Sequence, residues 1–293
     1  MRFAAAKLIK AGAGTATHSC ARASRAAPDE GAGRMVMEWK NSTALVTGAS
    51  SGIGAEFAGQ LAAQGVNLVL VARRADRLEA LRGRLLERHP ALRVDIVPAD
   101  LAAVGATAEL AAELREAGQH IDVLVNNAGV GFHRPFADEP ADEVAAEIHL
   151  NCGALVDLTA RFLPGMRKAR RGVVINLAST SAFQPVPTMA VYAATKAFVL
   201  SFTEALWWES RGSGVRVLAL CPGATQTEFF DRSGAAFMTR GRQSAAQVVA
   251  AALAAVDGSA PTVVPGGMNK LRTMGYRLIP RSVMPRLAER TVR

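Results

Sequence analysis

Cysteine is scarce: Cys20, Cys152 and Cys221 are the only three in 293 residues. Thiols so few and so scattered make neither a disulfide framework nor a CxxC metal site and suit a reducing compartment. A cytoplasmic protein is therefore expected. The five histidines show no paired ligand spacing, so no metal is expected. No uninterrupted apolar run approaches the roughly 18 residues of a membrane-spanning helix. Lys7 and Lys10 interrupt the first apolar residues before a secretory core can form, so no export signal is expected. Internal repeats and long linkers are also missing, which favours one domain.

Acidic charge is short only at the two ends. The formal charge is +9, yet residues 1–40 carry seven Lys/Arg against three Asp/Glu and residues 267–293 carry seven against one, leaving 41–266 at −1. A body so close to neutral lacks the electrostatic footprint of phosphate-backbone binding, and no nucleic-acid partner is expected. Eleven of the first 34 residues are alanine, a composition that buries little, so 1–40 is read as a flexible N-terminal extension. It is open whether that extension is a mitochondrial presequence, a dispensable tail, or the result of a start before the true initiator at Met35 or Met37.

From residue 41 the pattern becomes regular. Apolar runs at 44–47, 67–72, 94–98, 123–126, 173–177, 215–220 and 262–264 alternate with helical segments. Most are apolar on consecutive residues, as parallel strands covered on both faces require. The expected fold is α/β, a doubly wound, Rossmann-type parallel sheet flanked by helices, in a single domain spanning 41–265. Ligands on such sheets bind beyond the carboxyl ends of the strands.

Directly after the first run comes Thr47-Gly48-Ala49-Ser50-Ser51-Gly52-Ile53-Gly54. Glycine allows the tight turn at Gly48, backbone approach to a pyrophosphate near Gly52, and close helix packing at Gly54. The helix that follows offers free N–H groups to that anion, with Ser50, Ser51 and Ile53 in the same cradle. The second run ends in Arg73-Arg74, where a carboxylate would bind the ribose of NAD and an arginine accommodates a 2′-phosphate. Arg73 holds the discriminating place, so NADP(H) is expected over NAD(H); the alternative is a solvated basic face formed by Arg73, Arg74 and Arg77. After the third run, Asp100 in Asp100-Leu101 suits either an adenine amino group or the cap of the next helix.

Tyr192 and Lys196 lie four residues apart, on one face of a predicted helix, thirteen residues beyond the strand-end Ser179. Reduction of a ketone needs a proton for the developing alkoxide, and a free tyrosine near pKa 10 is too weak an acid at neutral pH. A neighbouring ammonium lowers it; two to three pKa units correspond to about 3–4 kcal/mol of differential interaction. The Ser179 hydroxyl is suited to hold the substrate oxygen.

With Asn126-Asn127-Ala128-Gly129 after the fourth run and Cys221-Pro222-Gly223 after the sixth, the motifs TGASSGIG, NNAG, Ser179, YAATK and CPG resemble the short-chain dehydrogenase/reductase family, in its NADP-preferring type, over about residues 41–265. The resemblance implies that Tyr192 is the acid/base and that Lys196 also binds the nicotinamide ribose. It further implies that Asn151 holds a water in the proton relay. Asn127 would stabilise the sheet and line the adenosine side, with Ala128 and Gly129 among the cofactor contacts. Pro222-Gly223 and Thr227 would meet the nicotinamide carboxamide, with Thr225 beside them. Ser181 is the poorer substitute for Ser179. A homodimer or homotetramer built partly on the Tyr192 helix is also implied.

Phe229, Phe230, Phe237 and Met238 fall where this family has its variable substrate cover. They suggest an apolar lid, hence a hydrophobic carbonyl or secondary-alcohol substrate, or else residues packed on the body. In the tail 266–293, Leu271, Met274, Leu278 and Ile279 alternate with Lys270, Arg272 and Arg277 to give a basic amphipathic helix before Pro280. That helix suits an anionic membrane surface, the substrate mouth or a neighbouring subunit. Two rivals stand beside the oxidoreductase: a catalytically idle NADP-binding sensor or scaffold, and an extended-type epimerase or dehydratase.

Overall fold

Seven parallel strands form one sheet in the order β3-β2-β1-β4-β5-β6-β7, with β1 Thr43–Thr47, β2 Asn67–Ala72, β3 Val94–Pro98, β4 Val123–Asn126, β5 Gly172–Leu177, β6 Val215–Leu220 and β7 Thr262–Val263. The computed structural model describes residues 39–235, 242–276 and 278–292. Residues 1–38 of the expected N-terminal extension 1–40, two of the proposed lid residues, Phe237 and Met238, and Arg277 of the tail lie outside them. The helices are α1 Gly52–Ala63, α2 Ala75–Arg88, α3 Ala106–Glu116, α4 Ala141–Ile148, α5 Leu155–Ala169, α6 Ala190–Glu209, α7 Phe229–Ser233, α8 Ala245–Val256, α9 Gly267–Tyr276 and α10 Met284–Val292.

Successive residues of a strand point to opposite faces, and here both faces are apolar. Ala44 and Val46 of β1 pack with Phe57 and Leu61 of α1, Leu78 and Leu85 of α2, and Val249 of α8. Leu45, between them, enters the opposite layer with Leu110 and Leu114 of α3, Leu158 and Met166 of α5 and Leu206 of α6. α2 brings its apolar residues Leu78, Leu81 and Leu85 to the core at three- and four-residue spacing. α8 begins with a capping box in which Ser244 and Gln247 satisfy each other's backbone N–H groups.

The strand order reverses beside β1: β2 and β3 extend to one side, β4 to β7 to the other. The crevice beyond the carboxyl ends of β1 and β4 is therefore the switch point where such sheets take ligands. Buried amides brace that region. Asn126 Nδ2 donates to Asn176 Oδ1 (2.9 Å) and Thr159 Oγ1 (3.0 Å), and Asn176 Nδ2 donates to Thr203 Oγ1 (3.0 Å).

A helix stands before Pro280 as expected, but it stops short of Leu278 and Ile279. α9 ends at Tyr276 and a second helix, α10, follows, with Met284 and Ala288 buried against neighbours. α9 packs beyond the ends of β5 and β6, where Asn269 Nδ2 covers Gly223 and donates to Gln243 Oε1 and to the Pro265 carbonyl, both at 3.0 Å. Among the described residues no helix is long and apolar enough to cross a membrane.

Candidate active site

The turn between β1 and α1 needs its glycines. Gly48 (φ 65°) and Gly52 (φ 55°) are left-handed, and a Cβ on Gly54 would run into the Gly48 carbonyl and Asn127 Nδ2. The Thr47 hydroxyl accepts from the Asn127 and Ala128 backbone N–H groups (2.9 Å each), and Asn127 Nδ2 donates to the Thr47 carbonyl (2.8 Å). This clamp holds the loop to the end of β4. At the start of α1, Ser51 is extended and makes no side-chain cap, so the first N–H groups of the helix stay available to an anion. Thr227 lies over Gly52, within 3.0 Å of where a Cβ would stand.

The two arginines after β2 diverge. Arg74 Nη2 donates to the Ser50 and Ser51 hydroxyls (2.9 Å each) and Arg74 Nη1 pairs with Glu228 at 3.0 Å. Arg77 also pairs with Glu228. Arg73 is 62% exposed and only loosely paired with Asp100, at 3.9 Å. The guanidinium at the glycine loop is thus Arg74, one residue past the discriminating place assigned to Arg73, because the first residue after the strand turns outward. Asp100 Oδ1 accepts from Ala102 N (3.1 Å) in a turn and does not cap α3, whose N-cap is Gly105, while Leu101 is buried.

Ser179 follows β5 and caps the short turn Thr180–Phe183, its hydroxyl accepting from Ser181 N at 3.1 Å. Ser181 therefore enters this contact through its backbone. Tyr192 and Lys196 sit in the first two turns of α6, with Lys196 Nζ 5.7 Å from the centre of the Tyr192 ring. Lys196 is buried and donates to the Leu177 carbonyl at 2.7 Å. Asn151 lies in a π turn, His149–Ala154, between α4 and α5, a widened turn often found at functional sites. Its amide donates to the Val130 carbonyl (2.8 Å) and Thr195 Oγ1 (3.0 Å) and accepts from Val130 N (2.9 Å). It thereby ties the loop after β4 to the helix of Tyr192. Gly129 backs onto both Asn151 and Lys196 Nζ. Pro222 and Thr225 are buried after β6, and Gly223 is covered by Asn269.

Titration departs from the sequence expectation. Burial pushes the Tyr192 phenol up to about 12, opposed by the Ser179 hydroxyl and reinforced by the charge of Glu147. Burial likewise pushes Lys196 down to about 8. The expected lowering by the Lys196 ammonium is not among the influences on the phenol; desolvation, which disfavours the charged form of each group, dominates for both.

Of the proposed lid, Phe229 stands beside the tyrosine, ring centres 5.2 Å apart, within an apolar cluster of Val186, Met189 and Ala193. Phe230 is instead mostly buried, edge-on to Phe229 and under Arg242. The sequence reading passed over Thr47, Glu147, Glu228 and Asn269. Only Glu147 had a readable signal, its position one helical turn before Asn151. Among the described residues no group of three His, Cys, Asp or Glu could hold a metal ion.

The family described as short chain dehydrogenase matches residues 42–236. A very-long-chain 3-oxoacyl-CoA reductase of Coprinopsis cinerea is 38% identical over 182 residues, 61% of this chain and 53% of the reductase. The chain thus matches about half the length of that relative. A short-chain dehydrogenase from Sphingobium yanoikuyae in complex with NADPH superposes with a TM-score of 0.73 at 34% identity, covering 82% of this chain and 97% of that one. The bulky-bulky ketone specific alcohol dehydrogenase from Comamonas testosteroni gives a TM-score of 0.69 at 32% identity, covering 82% and 96%.

Proposed function

The chain belongs to the short-chain dehydrogenase family, and from that premise we propose that it is an NADP(H)-dependent oxidoreductase acting on a carbonyl or secondary alcohol of a hydrophobic molecule. The observation that carries this reading is the convergence of the Ser179 hydroxyl, the Tyr192 phenol and the buried Lys196 at the switch-point end of the sheet, next to a glycine loop with no room for side chains.

The donor set fits a dinucleotide. Gly48 to Gly54 and the uncapped start of α1 would hold the pyrophosphate, Arg74 with Ser50 a 2′-phosphate, and Lys196 the nicotinamide ribose. Bound NADPH supplies the hydride. Ser179 donates its hydroxyl proton in a hydrogen bond to the substrate oxygen and fixes it beside Tyr192. Tyr192 gives its phenolic proton to that oxygen in reduction and takes it back in oxidation. The ammonium of Lys196 stabilises the phenolate left behind, at the moment when the neutral phenol, favoured by burial, has to ionise. Asn151 keeps the relay open by holding the loop after β4 and α6 in register.

A bulky, apolar substrate is supported by the cluster of Val186, Met189 and Phe229 around Tyr192 and by the names of the 3-oxoacyl-CoA and bulky-ketone relatives. A homodimer or homotetramer is supported by exposed Phe198 and Trp208 on the outer side of α6. Exposed Met268, Leu271 and Met274 beside Lys270 and Arg272 on α9 support peripheral contact with an anionic membrane. The free thiols of Cys152 and Cys221 accord with a cytoplasmic location.

The test is oxidation of NADPH and NADH over a panel of aliphatic, aromatic and sugar carbonyls. NADPH-dependent turnover of bulky ketones, lost by about a hundredfold or more in Tyr192→Phe with NADPH binding retained, is expected. Binding of NADPH with no turnover of any carbonyl or alcohol would move the protein to the sensor reading.

A further inference from the structure

One turn before Asn151, at the inner side of α4, Glu147 is 1% exposed and neither of its carboxyl oxygens meets a hydrogen-bond donor of the protein. Buried carboxylates are expensive unless paired, and an apolar side chain of similar volume would fill the position at lower cost. A role in packing therefore does not account for it.

Its surroundings lead from the reaction centre outward. Lys196 and Tyr192 of α6 feel its charge, as does Cys152 of the π turn. On the other side Arg134 and Glu139, from the connection between β4 and α4, act on the carboxyl. Glu139 Oε2 is itself buried without a donor, while Arg134 pairs with the partly exposed Glu143. The carboxyl thus feels Lys196 from the reaction centre and Arg134 and Glu139 from a connection that reaches the partly exposed Glu143.

We infer that Glu147 is a positioning residue for the proton, which it holds beside Lys196 and exchanges with solvent through the Arg134–Glu139–Glu143 cluster. The inference rests on the oxidoreductase reading given above. In reduction, the phenolic O–H bond of Tyr192 breaks as its proton joins the alkoxide oxygen that hydride addition creates. The phenolate regains a proton from the Lys196 ammonium. No hydrogen bond joins Glu147 to Lys196, so the resulting amine takes a proton from an intervening water as that water takes the proton of the Glu147 carboxyl, and the carboxylate is refilled from solvent. One proton from solvent is consumed per carbonyl reduced, and oxidation runs the same transfers backward.

The energetics permit either direction. Burial, reinforced by Glu139 and opposed by Lys196 and Arg134, pushes Glu147 up to about 7, and burial pushes Lys196 down to about 8. Two groups so nearly matched exchange a proton with little penalty near neutral pH, whereas an ordinary carboxylate and an ordinary lysine would be mismatched by about six units.

The test compares wild type, Glu147→Gln and Glu147→Asp by the pH profile of kcat, by KM, by NADPH affinity, and by infrared titration of the protonated carboxyl band. Glu147→Gln is expected to bind NADPH as wild type does, to keep KM, and to lose about tenfold in kcat. It should also lose the fall in reduction rate that wild type shows as pH rises through about 7. Glu147→Asp should restore part of both. The band that titrates near neutrality should be present in wild type and missing from Glu147→Gln.

Full kcat with an unchanged pH profile in Glu147→Gln overturns the inference while leaving the oxidoreductase reading intact. A kcat loss that merely follows lost NADPH binding overturns it as well. If wild type turns over no substrate, the oxidoreductase reading fails separately, and the infrared band decides whether Glu147 holds a proton near neutral pH; its absence overturns the inference.

Discussion

Cofactor preference should reside in Arg74, and the neighbouring Arg73 provides the control. Arg74 is three-quarters covered and its guanidinium already bridges Ser50 and Ser51 at the mouth of the glycine loop, so its donors are oriented before a phosphate arrives. Hydrogen bonds to a charged group contribute about 1.5–3 kcal/mol, so Arg74→Ala should weaken NADPH binding by about ten- to a hundredfold and NADH binding much less. Arg73, 62% exposed and 3.9 Å from Asp100, should contribute no more than the about 0–1 kcal/mol of a screened surface charge. Arg73→Ala should thus change either affinity by no more than about fivefold. The competing anion supplies a third arm. Glu228 pairs with Arg74 and Arg77, so a phosphate must displace it, and Glu228→Gln should tighten NADPH binding by about two- to fivefold. Dissociation constants for both cofactors, from calorimetry or nicotinamide fluorescence, give all three numbers. A larger loss of NADPH selectivity in Arg73→Ala than in Arg74→Ala would refute the reasoning and return the discriminating role to Arg73.

Gly54→Ala drives a methyl group into the Gly48 carbonyl and Asn127; a loss of about 1–3 kcal/mol in chemical unfolding and collapse of cofactor binding are expected, and unchanged binding would show that the loop can shift. Glu147 carries a pH signature of its own. Its folded value of about 7 stands above the ordinary 4.5, so the folded state binds the extra proton and stability falls as pH rises through that window. Wild type should therefore lose on the order of 2 kcal/mol between pH 5 and 8 relative to Glu147→Gln; parallel urea midpoints for the two proteins across that range would contradict this. Replacing Leu271 and Met274 of α9 by aspartate should abolish salt-sensitive sedimentation with anionic vesicles, and an unchanged sedimented fraction would remove the membrane proposal.

All seven strands were legible to within a residue at each end, because parallel strands buried on both faces are written as continuous apolar runs. β5 starts one residue early, at Gly172, where Met166 closes over the position and any side chain would clash. The glycine loop was legible for a similar reason: left-handed φ at Gly48 and Gly52 is a local demand that only glycine meets cheaply. Tyr192 and Lys196 share a helix face through local periodicity, and Ser179 was visible because it follows a strand end.

What stayed hidden depends on which way a long side chain turns and on what distant segments bring to it. Arg73 and Arg74 are adjacent in the chain, and no propensity distinguishes the one that turns toward Ser50 from the one that turns to solvent. Glu228 and Asn269 reach the site from segments about 175 and 215 residues past the glycine loop, so their roles exist only after the sheet has closed. The phenol of Tyr192 illustrates the energetic side of the same limit. The sequence predicts the favourable charge beside it but not how much water the fold removes, and desolvation is the largest influence on the phenol in the structure. On the proposed function, with the neutral phenol as the resting form, the demanding step in reduction would be not supplying the first proton but stabilising the phenolate that remains. A buried lysine, and the Glu147 carboxyl as inferred above, would suit that task.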